Sequence, residues 1–314
     1  MTATAASPRA RLRELLAGGQ LILAPGIFDG LSALVAEAAG FGAIYLSGGA
    51  VARSSGVPDI GLLTLSEVLE RTRQVTDAVR VPVIADADTG YGGVLNVART
   101  VRDFERAGVA ALHLEDQAIP KRCGHYENKG LVPAEEMMAR LAAALDARSD
   151  PDLVLIARTD ARAEEGLEAA IERAHRYAEA GADLIFVEAP QSREEVARIA
   201  AAVNAPLLIN MFQGGKTPLI GAAELEGLGY RVAIVPSDLQ RAAILAMQRV
   251  AEVLLRDGSS AACADLLAPF PARDALVRLD EYVTREETYE NSRKGSQSTA
   301  RGVEEHGSSR STAD

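Results

Sequence analysis

The chain has 314 residues, 48% of them hydrophobic and 25% charged, the mix of a soluble globular protein with room for a large α/β core. Its formal net charge of −11 leaves no basic footprint for nucleic acid or an anionic membrane surface, so neither partner is expected. The two cysteines, Cys123 and Cys263, lie far apart, the opening residues lack the apolar core of a secretory leader, and no stretch reaches the roughly 18 uninterrupted apolar residues of a membrane span. A reducing, cytoplasmic compartment with free thiols is the expectation.

Residues 1–20 read as an N-terminal segment. After them, short runs of branched aliphatic residues alternate with longer Ala/Glu/Arg stretches of helical spacing. The pattern predicts strands over 21–24, 43–47, 81–86, 110–115, 153–158, 184–188, 206–210 and 232–235. Between them it predicts helices such as 30–39, 66–78, 94–107, 133–147, 167–180 and 193–202. Three of these helices run through a glycine into the next strand, in AAGFGAIYL, RAGVAALHL and EAGADLIFV, and glycine is the residue that adopts the left-handed backbone closing a helix. Eight apolar strands joined by crossover helices imply an all-parallel sheet buried on both faces, and closure into a (β/α)8 TIM-type barrel over 21–256 accounts for the count most simply. An open doubly wound sheet competes, but no G-x-G-x-x-G turn follows the first strand, so a dinucleotide site loses its main support. Helices over 239–256 and 272–287 follow the eighth strand, the second within a C-terminal helical extension over 257–289. Residues 290–314 are polar and poor in aliphatics, the composition of a disordered tail.

In a parallel barrel the reactive groups collect at the C-terminal ends of the strands. The second predicted strand carries Tyr45 and Ser47, followed by Gly48 and Gly49. The third ends on Asp86 and leads to Asp88, the fourth carries His113, Glu115 and then Asp116, and the fifth ends on Arg158 before Asp160. Glu188, Asn210 and Pro236-Ser237 close the sixth, seventh and eighth. On an extended backbone Asp86 and Asp88 leave on one face, and with Glu115 nearby they form an all-oxygen anionic group suited to Mg2+, or Mn2+. The bland alternative is an Asp-rich loop that caps the next helix. Lys121 and Arg122 flank Cys123 and would lower its thiol pKa, making it a proton carrier or nucleophile, although a lone loop cysteine is more often inert. His125 could orient Cys123 or simply bond within the loop, while His113 in an apolar strand reads as a satisfied core histidine and Cys263 as packing. Arg158 offers a bidentate grip on a carboxylate; equally, Arg158 and Glu188 could pair across the rim.

The segments SGGAVARSSGVPDIG, DADTGYG, HLEDQ, KRCGH, ARTDA, FVEAP and NMFQGGKTP, over roughly residues 20 to 290, resemble those of the isocitrate lyase and phosphoenolpyruvate mutase superfamily, and within it the 2-methylisocitrate and 2,3-dimethylmalate (2-alkylmalate) lyases. The resemblance implies a barrel whose C-terminal helix is swapped within a homotetramer, with Mg2+ on Asp86 and Asp88, and with Asp59 and Glu115 acting through water. It implies that Ser47, Gly48 and Gly49 bind the carboxylate of an α-keto acid, that Gly124, Arg158, Glu188 and Asn210 line the substrate pocket, and that Arg241 and Arg273 reach a distal carboxylate. Cys123, on a mobile loop with His125, is then the proton donor, and Glu115, Arg158 and Tyr45 complete the catalytic set. The implied reaction is cleavage of a 2-hydroxy di- or tricarboxylate into pyruvate or another α-keto acid plus a carboxylic acid. A phosphonomutase of the carboxyphosphonoenolpyruvate type and an oxaloacetate hydrolase are the runners-up, and a non-catalytic metabolite-binding barrel the remote one. Tyr126 stands where the 2-methylisocitrate lyases usually carry arginine, and NMFQGG where they read NITEFG, departures that favour a dicarboxylate.

Overall fold

The structure, a computed structural model, describes residues 6–122, 124 and 129–292. Cys123, His125 and Tyr126, and all of the predicted tail after 292, lie outside the described residues. The chain divides into two compact units, Met1–Arg256 and Asp257–Asp314.

The first unit runs α1 (Pro8–Ala17), β1 (Ile22–Ile27), α2 (Gly30–Ala38), β2 (Ile44–Leu46), α3 (Gly48–Ser54), α4 (Leu65–Ala78), β3 (Val83–Asp86), α5 (Val94–Arg106) and β4 (Ala111–Glu115). It continues through α6 (Ala134–Ala147), β5 (Val154–Thr159), α7 (Ala161–Glu164), α8 (Leu167–Glu179), β6 (Leu184–Val187), α9 (Arg193–Ala202), β7 (Leu207–Asn210), α10 (Ala222–Leu228), β8 (Tyr230–Val235) and α11 (Asp238–Asp257). Every strand pairs in parallel with the next, and β1 pairs with β8, so the sheet closes as the sequence predicts. The three glycine stops are there: Gly40, Gly108 and Gly181 have φ of +91°, +87° and +102°.

Alternation along the strands sorts the aliphatic residues into two cores. Ile44, Leu46, Leu112, Leu114, Ile185 and Val187 face the surrounding helices, while Ala24, Tyr45, Ile84, Ile156, Phe186 and Leu208 fill the barrel interior. Leu12 of α1 joins that interior cluster at 1% exposure, which closes the end of the barrel where the strands begin. Arg9 and Arg13 pin α1 in place through Asp150 and Asp183, each at 2.8 Å, and through the carbonyls of Val109 and Leu153.

The sequence pattern leaves out α1, α3, α7 and α10, all ten residues or shorter, because so few turns give little periodicity to read. It also ends the first strand at 24, before Pro25-Gly26, whereas β1 continues to Ile27. Gly26 is required there: a Cβ would run into the backbone of Pro236, where the chain leaves β8.

The second unit contains a short 3-10 turn (Ala261–Leu266), α12 (Phe270–Leu276) and a helical run over 279–292. Cys263 is buried in the turn, as expected, with its thiol donating to the Ser260 carbonyl at 3.3 Å.

Candidate active site

The same period of two aims the polar residues inward. Tyr45 and Ser47, Asp86, His113 and Glu115, Arg158, Glu188 and Asn210 share the parity of the interior aliphatics, so the six strands β2 to β7 deliver their last inward positions to one mouth. A cavity of about 330 Å³ opens there. Tyr45, Ser47, Gly49, Asp59, Asp86, Glu115, Gly124, Arg158, Glu188, Asn210 and Arg241 all line it.

Its acidic side is built by β3 and the loops after β2 and β4. Asp86 accepts hydrogen bonds from the backbone N–H of Gly48 at 3.2 Å and of Asp88 at 3.0 Å, and lies 3.4 Å from the Tyr45 hydroxyl. Burial opposes the charge on Asp86, but His113, Lys121 and Arg158 outweigh it and hold the carboxyl below its usual range. The extended-backbone expectation for Asp88 is corrected: β3 ends at Asp86, and Asp88 takes a left-handed φ of +47°. Its carboxylate lies 2.6 Å from Lys121 Nζ, which is also 2.6 Å from Asp59. Asp86 and Asp59 therefore line the central cavity, whereas Asp88 borders the neighbouring pocket beside Tyr91 and Asn96. Burial pushes Asp88 up to about 6 against the pull of Lys121. Lys121, read from the sequence as a modulator of the Cys123 thiol, is committed to these carboxylates. Burial works against its charge, yet Asp88, Glu115 and Asp59 keep it protonated well above its ordinary range.

Arg158 forms the other side. Its Nε donates to Asp160 at 2.9 Å, while Nη1 and Nη2 lie 3.3 and 3.5 Å from Glu115 and Glu188. The rim pair that the sequence raised as an alternative therefore exists, within a guanidinium shared by three carboxylates. Burial pushes Glu115 well above its usual range, Arg158 opposing, and Glu115 Oε1 is buried without a hydrogen-bond partner among the described residues. Asn210 Nδ2 donates to Glu188 at 3.3 Å. Arg241 donates to the Gln213 carbonyl at 2.6 Å. Arg273 belongs to the second unit, where its guanidinium lies 4.4 Å from the Phe270 ring centre and pairs with Asp274.

Two glycines hold the acidic side together. A Cβ on Gly48 would stand 2.7 Å from an Asp86 carboxylate oxygen, and one on Gly49 would stand 2.6 Å from an Asp59 oxygen. Ser47 caps α3 by accepting from Ala50 N–H at 3.3 Å.

His113, read from the sequence as core, lies beneath the site: it is fully buried, with Nε2 2.8 Å from the Tyr45 hydroxyl and 3.5 Å from Asp86. Burial lowers its pKa against the influence of Asp86, and burial followed by Asp86 raises that of Tyr45. Its parity, two residues before Glu115, carried the signal. Lys129, which braces Gly124 and pairs with Asp160, is the other residue that the sequence reading missed; the sequence places Asp160 at the end of the fifth strand but gives it no role. Cys123 and His125 fall outside the described residues.

The phosphoenolpyruvate phosphomutase family model matches residues 12–255. A 2,3-dimethylmalate lyase from Eubacterium barkeri is 43% identical over 90% of this chain and 99% of its own length. A 2-methylisocitrate lyase from Aeropyrum pernix is 45% identical over 92% of this chain and 93% of its own. Among solved structures, 2,3-dimethylmalate lyase, described as a PEP mutase/isocitrate lyase superfamily member, superposes with a TM-score of 0.86 at 38% identity, covering 91% of this chain and 96% of that one. Phosphonopyruvate hydrolase in complex with oxalate and Mg2+ superposes with a TM-score of 0.82 at 32% identity, covering 90% and 99%. The barrel, its polar mouth and these likenesses agree: the chain belongs to the phosphoenolpyruvate phosphomutase family, within the PEP mutase/isocitrate lyase superfamily.

Proposed function

We propose that this chain is a Mg2+-dependent carbon–carbon bond lyase. It cleaves a 2-hydroxy di- or tricarboxylate, of the 2-methylisocitrate or 2,3-dimethylmalate (2-alkylmalate) type, into pyruvate or another α-keto acid and a second carboxylic acid. The observation that carries this reading is the layout of one cavity: Asp59, Asp86 and Glu115 line it together with Arg158. An anionic substrate can enter beside those carboxylates only where cations balance them. The names borne by the relatives support the same reading.

Mg2+, or Mn2+, would be held by Asp86, with Asp59 and Glu115 acting through water, and Asp88 would join them as a ligand by exchanging its Lys121 pair for the ion. The residues fit such an ion: the donors are all oxygen, and Glu115 Oε1 is buried without a hydrogen-bond partner among the described residues. Among the described residues no three acidic, histidine or cysteine side chains form a ready cage, but Mg2+ keeps most of its waters and needs only one or two carboxylates. When bound, the ion supplies Lewis acidity to the substrate hydroxyl and carboxylate.

Ser47, Gly48 and Gly49 bind the carboxylate of the α-keto acid half. Glu115, whose burial raises its affinity for protons, takes the proton of the 2-hydroxyl, and Tyr45 directs its own hydroxyl at the same oxygen. As the carbon–carbon bond breaks, the electrons come to rest on the departing fragment as an enediolate. Arg158 stabilises that charge, which is worth several kcal/mol in a dry site. Gly124, Glu188 and Asn210 orient the fragment, Arg241 meets a distal carboxylate, and Cys123, oriented by His125, delivers a proton to carbon. We propose further that the enzyme works in the cytoplasm as a homotetramer with a swapped C-terminal helix. Phe270 and Tyr282 of the second unit, 71% and 62% exposed, support an apolar contact between copies. Among the described residues no helix is long and apolar enough to cross a membrane.

The test incubates the protein and Mg2+ with 2-methylisocitrate, 2,3-dimethylmalate, alkylmalates and oxaloacetate, reading pyruvate, oxalate and acetate. Pyruvate from one of the hydroxy acids is the expected result; oxalate and acetate from oxaloacetate alone would replace the lyase with a hydrolase. Cys123→Ser is expected to lower turnover by roughly two orders of magnitude or more with KM little changed, and unaltered turnover removes Cys123 from the proton step.

A further inference from the structure

Lys129 and Asp160 form an ion pair whose side chains are both 0% exposed, with Nζ 2.7 Å from Oδ1. A buried ammonium is costly unless its donors are used. This one also donates to the carbonyl oxygen of Gly124 at 2.5 Å. Gly124 directly follows Cys123 in the chain and lines the cavity. Its peptide lies hard against the catalytic side chains: a Cβ there would overlap the Arg158 guanidinium and stand 2.7 Å from Glu188 Cγ.

The base of this clasp is rigid. Asp160 accepts from Arg158 Nε at 2.9 Å and donates its own N–H to Asp116 at 2.9 Å. Asp116 in turn accepts from the hydroxyls of Thr159 and Tyr177 at 2.7 and 2.9 Å. The backbone of Lys129 is fixed as well, by donation to Glu164 of α7 at 3.1 Å.

We propose that Lys129 is a positioning residue for the reaction, clasping the Gly124 peptide to the Asp160–Arg158 pair so that the backbone beside Cys123 keeps a fixed place against the guanidinium. What is positioned rests on the lyase reading above; the clasp itself does not. A lysine present only to fill space would be replaceable by methionine, which has nearly its length and no charge. In Lys129→Met the Asp160 carboxylate keeps its fork on Arg158, so the fold retains a partner for the buried charge.

The experiment uses Lys129→Met, Lys129→Arg, Gly124→Ala and the Met/Ala double variant. The first readout needs no substrate: tryptic cleavage after Arg122, followed by mass spectrometry, is expected to be about fivefold faster or more in Lys129→Met. The second is kinetic: kcat is expected to fall about tenfold or more with KM within about threefold, because a misplaced group costs rate more than binding. Lys129→Arg is expected to recover part of both, and the double variant to lose no more than its worse single parent, since both changes dislodge the same peptide. Unchanged cleavage and kcat in Lys129→Met, or multiplicative losses in the double variant, overturn the clasp. Should Lys129→Met fail to fold, Gly124→Ala keeps the buried pair and carries the same readouts. Should the wild-type chain cleave none of the acids in the panel, the lyase reading falls while the tryptic arm still decides the clasp.

Discussion

At Asp86 the fit of the site turns on a single atom. Its carboxylate accepts the Gly48 N–H, and a methyl group on Gly48 would stand 2.7 Å from the same oxygen. Gly48→Ala is therefore expected to displace Asp86 and to raise the Mg2+ needed for half-maximal activity by about tenfold to a hundredfold, read from a metal titration of turnover. An unchanged requirement would remove Asp86 from the metal site. Asp88 makes a second expectation. With its folded pKa pushed up to about 6, above the unfolded value, the stability it contributes is complete at low pH and is lost as pH rises through 6. A cation that binds the carboxylate form relieves that loss, so added Mg2+ is expected to raise the unfolding temperature more at pH 7.5 than near ~pH 5, measured by differential scanning fluorimetry. Equal shifts at both values would place the ion elsewhere. The sequence shows both acids but not their divergence, because the left-handed turn at Asp88 is a local backbone choice with no signature in strand periodicity.

At the scale of elements, the βα rhythm was legible because it is local: apolar runs and glycine stops lie within a few residues of what they specify. Parity extends that reading to function, and applied to residue 113 it identifies the histidine under Tyr45. What stays hidden is pairing across the barrel. Nothing near Lys129 in sequence announces Asp160, 31 residues on, and nothing near Arg13 announces Asp183, 170 residues on. The helix α1 belongs here too, since its value comes from the opening it covers. Leu12→Ala is expected to cost about 2–5 kcal/mol, read by urea unfolding, with kcat at saturating substrate unchanged because the residue lies at the end opposite the mouth. A loss below about 1 kcal/mol would mean that α1 merely rests on the surface.

For the molecule as a whole, closure is the property on which the mouth depends. Seven strand ends, those of β2 to β8, aim at one cavity only when β1 and β8 are joined, and the join is made where Gly26 admits the backbone of Pro236. Gly26→Ala is expected to yield protein that loses cooperative unfolding and turnover together, checked by circular dichroism and the pyruvate assay; full turnover would show that the seam tolerates a wider gap. The same seam sets an order of events during translation. β1 emerges from the ribosome first and finds its second neighbour only when Tyr230–Val235 has followed. Until then the nascent sheet carries two bare edges, each able to recruit a strand from a neighbouring polysome, so the time to synthesise the polypeptide between β1 and β8 is the interval in which a chaperone has most to protect.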